Sequence, residues 1–145
     1  MSKVEDFLSK KEEEEIIEAI RQAESKTSGE IRVHLEASSK IDTYERALEL
    51  FHLLKMDNTK LQNGVLIYVA VHDRTFVICG DKDINDVVSH DFWDTTKNVM
   101  QTHFKQGQFK QGLIAGILTA GTALSEHFPW EHGDQNELPN TISKG

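Results

Sequence analysis

Cysteine is almost missing from this sequence of 145 residues. Its single thiol, Cys79, excludes an internal disulfide and any Cys-x-x-Cys motif, and the neighbours Phe76, Val77 and Ile78 mark it as a packed thiol instead of a nucleophile. Proline (2) and glycine (9) are too sparse for a low-complexity or collagen-like chain. Positive charge is short as well: 16 Lys and Arg against 24 Asp and Glu leave a net charge of -8. No segment gathers the cations that a phosphate-tracking surface needs, which argues against nucleic acid as a partner. Long apolar runs are absent too. The longest uncharged stretch, Gln111 to Ser125, is rich in Gly and Thr and falls short of the roughly 20 apolar residues of a spanning helix. The acidic amino end has no apolar segment of the kind that signal peptides carry, so the expectation is a cytoplasmic protein without membrane insertion. The 7 histidines are dispersed, with no i, i+4 pair enclosing a Glu, and there is neither a Gly-x-Ser-x-Gly elbow nor a phosphate-cradling glycine loop. A helical zinc site and a hydrolytic triad are therefore without support; His90 and Asp94, which can share a helix face, read as a surface pair.

Ordered periodicity fills most of the chain. Ser9 followed by Glu12 has the spacing of a capping box, and Ile16, Ile17, Ala19, Ile20 and Ala23 then recur as one face of a helix running to about Lys26. The acidic run Glu12 to Glu15 reads as a solvated helix start favoured by the macrodipole. Thr27, Ser28 and Gly29 break this helix. Ile31, Val33 and Leu35 then alternate with Arg32, His34 and Glu36, the period of a strand. Helical spacing returns at Ala47, Leu48, Phe51 and Leu54, with Asp42 as cap. Val65 to Val71, apolar at nearly every position, predicts a central strand buried on both faces. Thr75 to Cys79 follows after His72, Asp73 and Arg74 as the second arm of an antiparallel hairpin, while the first strand is expected parallel to the central one across a helical crossover. Beyond the polar segment after Gly80, helical periodicity resumes through Trp93, Val99, Met100 and Phe104, and again from Gln108 to Phe128. In that last segment Gly112, Gly116 and Gly121 leave room for another element to approach closely. The pattern predicts one α/β domain over residues 1–128, a three-layer α/β/α sandwich with a small mixed sheet, followed by a flexible tail over residues 129–145.

Ligand-type side chains are densest in Asp81-Lys82-Asp83-Ile84-Asn85-Asp86, after the third strand and before helical sequence. Carboxylates this close repel one another unless solvated, protonated or bridged by a cation, and oxygen donors suit Ca²⁺ or Mg²⁺. The competing reading is that one of Asp83, Asn85 and Asp86 simply caps the next helix. An EF-hand is excluded, because its sixth and twelfth positions are Asp86 and Phe92 where Gly and Glu belong. A phosphotransferase loop of the haloacid dehalogenase type is disfavoured by Asn85 and by the late position of the strand. In the expected topology the end of the third strand lies beside the starts of the other two. Ser28, Gly29, Glu30, Asn63 and Gly64 then sit near Asp81 and Asp83, and the candidate cation ligands are Glu30, Asp81, Asp83 and Asp86. Asp73 falls at the opposite end, in the hairpin turn.

The segments Thr27 to Val33, Asn63 to Ala70 and Asp73 to Asp81, with Phe104 and Gly107 through Leu113, resemble the TPM domain over about residues 5 to 128. That domain is shared by a plant thylakoid lumen protein, a photosystem II assembly protein and a worm receptor modulator, and occurs widely in bacteria. The resemblance implies an α/β/α sandwich, divalent cation binding, usually of calcium, and in the plant member an acid phosphatase activity; Gly80 and Asp81 are its motif positions here. Three functions follow as expectations. One is a cation-dependent binding or interaction module of the stand-alone bacterial type. Another is a metal-assisted phosphomonoesterase, and the third is a structural partner in a complex, with Trp130 and the tail as contact points.

Overall fold

The computed structural model describes residues 7–56, 63–88, 91–130 and 142–144, and the side chains of Asp83 and Asn85 also lie outside this description. Helix α1 (Lys10–Glu24) begins at the expected capping box: Ser9 Oγ accepts from the Glu12 amide at 3.1 Å, and the Glu12 carboxylate accepts from the Ser9 amide at 3.0 Å. Strand β1 (Glu30–Glu36) follows, then helix α2 (Thr43–Leu53), whose cap Asp42 accepts from the Glu45 amide at 3.3 Å. Strands β2 (Gly64–Ala70) and β3 (Thr75–Gly80) form the hairpin. They are followed by the short helix α3 (Lys82–Val87), helices α4 (Asp94–Lys105) and α5 (Phe109–His127), and a two-residue strand β4 (Ser143–Lys144).

The strands form one mixed sheet in the order β3-β2-β1-β4. β1 and β2 run parallel, with Glu30 opposite Gly64 and Glu36 opposite Ala70, whereas β2 and β3 are antiparallel, with Val65 opposite Gly80. Both pairings follow from connection length, since a helical crossover returns a parallel strand and a tight turn cannot. On one face Ile31, Val33, Leu35, Val65, Ile67 and Ile78 pack against α1 and α5 through Ile16, Ile20, Leu113, Ile117 and Leu124. On the other, Leu66, Tyr68, Ala70 and Cys79 meet Ala47, Leu50 and Phe51 of α2. Helices on both faces of a mixed sheet make the three-layer α/β sandwich.

The glycines of α5 let it pack on two neighbours at once. A Cβ added at Gly116 would lie 2.5 Å from the Met100 side chain in α4, and one at Gly121 would lie 2.7 Å from Ala23 Cβ in α1. Elsewhere the details differ from the expected pattern. Helix α2 turns Leu50 inward and leaves Leu48 38% exposed, because Ala47, Leu50, Phe51 and Leu54 form the narrower stripe that covers its part of the sheet. The acidic start of α1 is engaged, not merely solvated: Glu15 pairs with Lys110 of α5 at 2.8 Å, and Glu13 pairs with Lys144 of β4. Within the stretch read as a tail, residues 131–141 lie outside the described residues, as does His90, while Ser143 and Lys144 run parallel to β1 beside His34 and Leu35. Among the described residues, no helix is long and apolar enough to cross a membrane.

Candidate functional site

Two polar constellations occupy opposite ends of the same sheet face, the face that α2 partly covers. At the first, Gly64 separates two acidic side chains. Glu30 pairs with Gly64 across the β1–β2 ladder, and the Asp81 amide donates to the Gly64 carbonyl at 2.9 Å from the other side. Two strand spacings put these backbones about 10 Å apart. Strand alternation points Glu30 to the face opposite Ile31, and Asp81 to the face of Cys79, which is the same one. Gly64 has no side chain to stand between them. Glu30 is 4% exposed and Asp81 8%. Asp81 is also the cap of α3, accepting from the Lys82 amide at 2.7 Å. The capping role anticipated for a later residue of the acidic segment thus falls on its first. Asp86 is exposed on α3, and the Asp83 side chain is outside the described residues. Asn63 Nδ2 donates to Ser28 Oγ at 3.3 Å, closing the mouth of the β1–β2 pair.

A third acid at this end, Glu24, escaped the sequence reading. The carboxylate of Glu24, at the last residue of α1, accepts from the Ile31 amide at 2.9 Å. Burial, with a smaller contribution from the Glu30 charge, pushes its carboxyl up to about 7, against the lowering effect of that amide. The available signal was a Glu ending an amphipathic helix only a few residues before a strand whose edge amide needs an acceptor. Among the described residues no three His, Cys, Asp or Glu side chains form a group able to hold a metal ion. The two acids that share this mouth are Glu30 and Asp81. The donors are oxygen atoms, suited to a hard divalent ion. The Cys79 thiol beside them is pushed up to about 11 by burial and by the Asp81 charge, which keeps it protonated and out of the ligand set.

At the carboxyl ends of β1 and β2 a denser network surrounds Glu36. Arg46 of α2 donates to both carboxylate oxygens, at 2.6 and 3.0 Å, and the Tyr68 hydroxyl donates to one of them at 2.6 Å. These contacts, led by the Arg46 hydrogen bonds, hold the Glu36 carboxyl down to about 2 and raise Arg46, while burial first and the Glu36 hydrogen bond second raise Tyr68. The His34 ring stacks on Tyr68 with centroids 5.9 Å apart and meets Ser143 Oγ of β4 at 2.9 Å. Burial lowers the His34 pKa, opposed by Glu36, so the ring is held towards its neutral form. Asp73, expected in the hairpin turn, accepts from Ser38 Oγ and the Ser39 amide, each at 2.9 Å, and so ties that turn to the loop after β1. A cavity of about 480 Å³ opens here between Glu36, Ser38, Arg46 and Glu49. The alternation of Arg32, His34 and Glu36 with apolar residues was visible in sequence, but only as the period of a strand. Only α2 lying over it reveals a buried ion pair.

This fold, with its parallel β1–β2 pair opening onto an acidic mouth and a hairpin returning to Gly80 and Asp81, is that of a TPM domain. A profile of the TPM domain matches residues 1–123, and the chain belongs to that family. Among solved structures it is similar to the BA42 protein of the psychrophilic bacterium Bizionia argentinensis, at 68% identity over 100% of both chains with a TM-score of 0.93. It shares the fold of the N-terminal domain of a P. gingivalis protein, at 20% identity and a TM-score of 0.70 over 88% of this chain and 83% of that one. The same holds for the N-terminal domain of the cg2496 protein of Corynebacterium glutamicum, at 16% identity and a TM-score of 0.65 over 90% of this chain and 84% of that one. No curated protein matches the sequence.

Proposed function

We infer that this TPM domain is a binding module whose acidic end takes up a divalent cation, calcium or magnesium, and presents an ordered surface once the charge there is neutralised. One observation carries the reading: Glu30 and Asp81, 4% and 8% exposed, project from the same sheet face on either side of a glycine. Gathering negative charge in a low-dielectric setting is unfavourable, and a bound cation or a proton offsets it. Glu24 shows the proton route, with its carboxyl driven up to about 7. Asp83 and Asp86, in the same acidic segment as Asp81, are the further oxygen donors that the sequence offers to a cation of this type. Ordering of that segment by the ion gives a partner a defined surface, with Trp130, 48% exposed, as a contact point.

Amide NMR of the full chain titrated with calcium or magnesium tests this. Shifts should move together at Glu30, Gly64, Asp81 and α3, and Asp81→Asn should abolish them; no shift at millimolar metal removes the proposal. The same cation held against a phosphate monoester would instead polarise a phosphoryl oxygen. Release of a chromogenic alcohol that requires both metal and Asp81 would replace the binding module with a phosphatase.

A further inference from the structure

An apolar opening lies on the sheet face away from the acidic mouth, between the β2–β3 hairpin and the turn joining α4 to α5. It encloses about 510 Å³. That volume is within the range of roughly 300–1,000 Å³ typical of small-molecule sites. One wall is a row of aromatic rings: Phe76 meets Phe104 edge-on at 5.2 Å, Phe104 meets Phe109 at 5.8 Å, and Phe109 meets Phe7 at 4.8 Å. The wall is held in place from behind. The Phe104 ring lies so close to α5 that a Cβ added at Gly112 would be 2.5 Å from it. A row of rings this constrained loses little freedom on binding, which is the condition for preorganised recognition.

The rim carries the second observation. Arg74, at the hairpin turn with φ +55, and Lys105, at the end of α4, both line the cleft. Both are exposed, and among the described residues neither makes an ion pair. In a chain with net charge -8, two uncommitted cations facing one aromatic cleft form a local complement to negative charge. We propose that this cleft binds a small amphipathic carboxylate, whose aromatic or aliphatic body lies on the Phe76, Phe104 and Phe109 rings and whose carboxylate is held by Arg74 and Lys105. A guanidinium matches a carboxylate through two parallel hydrogen bonds, and an ammonium adds a point charge. A monoanion suits the site better than a phosphate dianion, because the apolar wall strips water from whatever it covers and that cost rises steeply with charge. The cleft shares no residue with the acidic end and needs no metal ion.

The full-length chain, labelled with ¹⁵N, is titrated with phenylbutyrate and separately with its neutral analogue phenylbutyramide at constant ionic strength. The acid should give saturable amide shifts confined to Val71–Val77 and Gln101–Phe109, and should bind at least about tenfold more tightly than the amide, a difference of about 1.4 kcal/mol. Lys105→Gln and Arg74→Asn should each weaken the acid about three- to tenfold without changing the amide. Asparagine tolerates the left-handed backbone at position 74, and each variant's own spectrum reports whether it folds. Absence of saturable shifts at about 10 mM acid, equal binding of the two compounds, or folded variants that bind the acid unchanged would each overturn the proposal.

Discussion

Two glutamates, Glu24 at the end of α1 and Glu36 at the end of β1, respond to pH in opposite directions, and both responses are measurable. Glu24 has its carboxyl raised from 4.5 to about 7 in the folded chain. The folded state therefore holds a proton that the unfolded state has released, so the Glu24 contribution to stability is fully present below about 4.5 and is lost as pH rises through about 7. Glu24→Gln keeps an oxygen for the Ile31 amide and removes the titration. Urea unfolding at pH 5 and pH 8 should show the variant gaining up to roughly 3 kcal/mol on the wild type at the higher pH only. Glu36 behaves conversely, with its carboxyl held down to about 2 from 4.5. Its contribution is present above 4.5 and is lost as pH falls towards 2. Glu36→Gln leaves the Arg46 guanidinium, 25% exposed, with only the more distant and exposed Glu49 carboxylate at 3.6 Å. The expected cost is about 2–3 kcal/mol near neutral pH, shrinking in acid. A loss independent of pH would mean that packing, not charge, is what Glu36 supplies.

Among the elements, α5 is the most constrained by its sequence. Its glycines serve two interfaces on one helix: Gly112 and Gly116 accommodate Phe104 and Met100 of α4, and Gly121 accommodates Ala23 of α1. At Gly121 the obstruction includes backbone, with Ala23 Cα 3.0 Å and its carbonyl oxygen 3.2 Å from an added Cβ. Neither atom can rotate away, so the helices must separate. Gly121→Ala gains intrinsic helix propensity of about 1 kcal/mol but forces apart a close-packed core, and overpacking of this kind costs about 1–3 kcal/mol. The expected net result is a lower thermal midpoint, read by circular dichroism; a higher midpoint would show that α1 and α5 part without strain. Gly112 differs, since its obstruction is a ring that belongs to the aromatic cleft. The capping residues, by contrast, were readable directly: Ser9 with Glu12, and Asp42, act within three residues of chain and need no tertiary partner.

For the molecule as a whole, the return of the chain to β1 at Ser143 and Lys144 decides how much of the sheet edge is covered. β4 pairs with His34 and Leu35, Ser143 Oγ meets the His34 ring, and Lys144 pairs with Glu13. A chain ending at Trp130 loses all of these. It should remain folded but be less stable by about 1–2 kcal/mol, the worth of a hydrogen bond and a partly exposed ion pair. Equilibrium denaturation of the two lengths checks this, and equal midpoints would assign β4 no energetic role. The candidate sites divide along the same scale. Glu30 and Asp81 were placed at one mouth from strand order alone, because alternation and connection length suffice to say which strand ends are neighbours. Glu24, the Glu36–Arg46–Tyr68 network and the aromatic cleft were not legible, since each joins groups far apart in sequence or brought together by packing.

What the chain determines locally is therefore its periodicity, its caps, its breaks and the hairpin, all set by backbone sterics and hydrogen bonding over a few residues. Those features were enough to define the strand directions, while the family was read from the resemblance carried by Thr27 to Val33, Asn63 to Ala70 and Asp73 to Asp81. Burial of polar groups is decided differently. His34 and Glu36 alternate with apolar residues as an outward face would, yet they are 3% and 7% exposed because α2 and β4 lie over them. Whether a carboxylate loses or keeps its proton depends on solvent exclusion and on charges supplied by other elements, and neither exists until the layers have packed together.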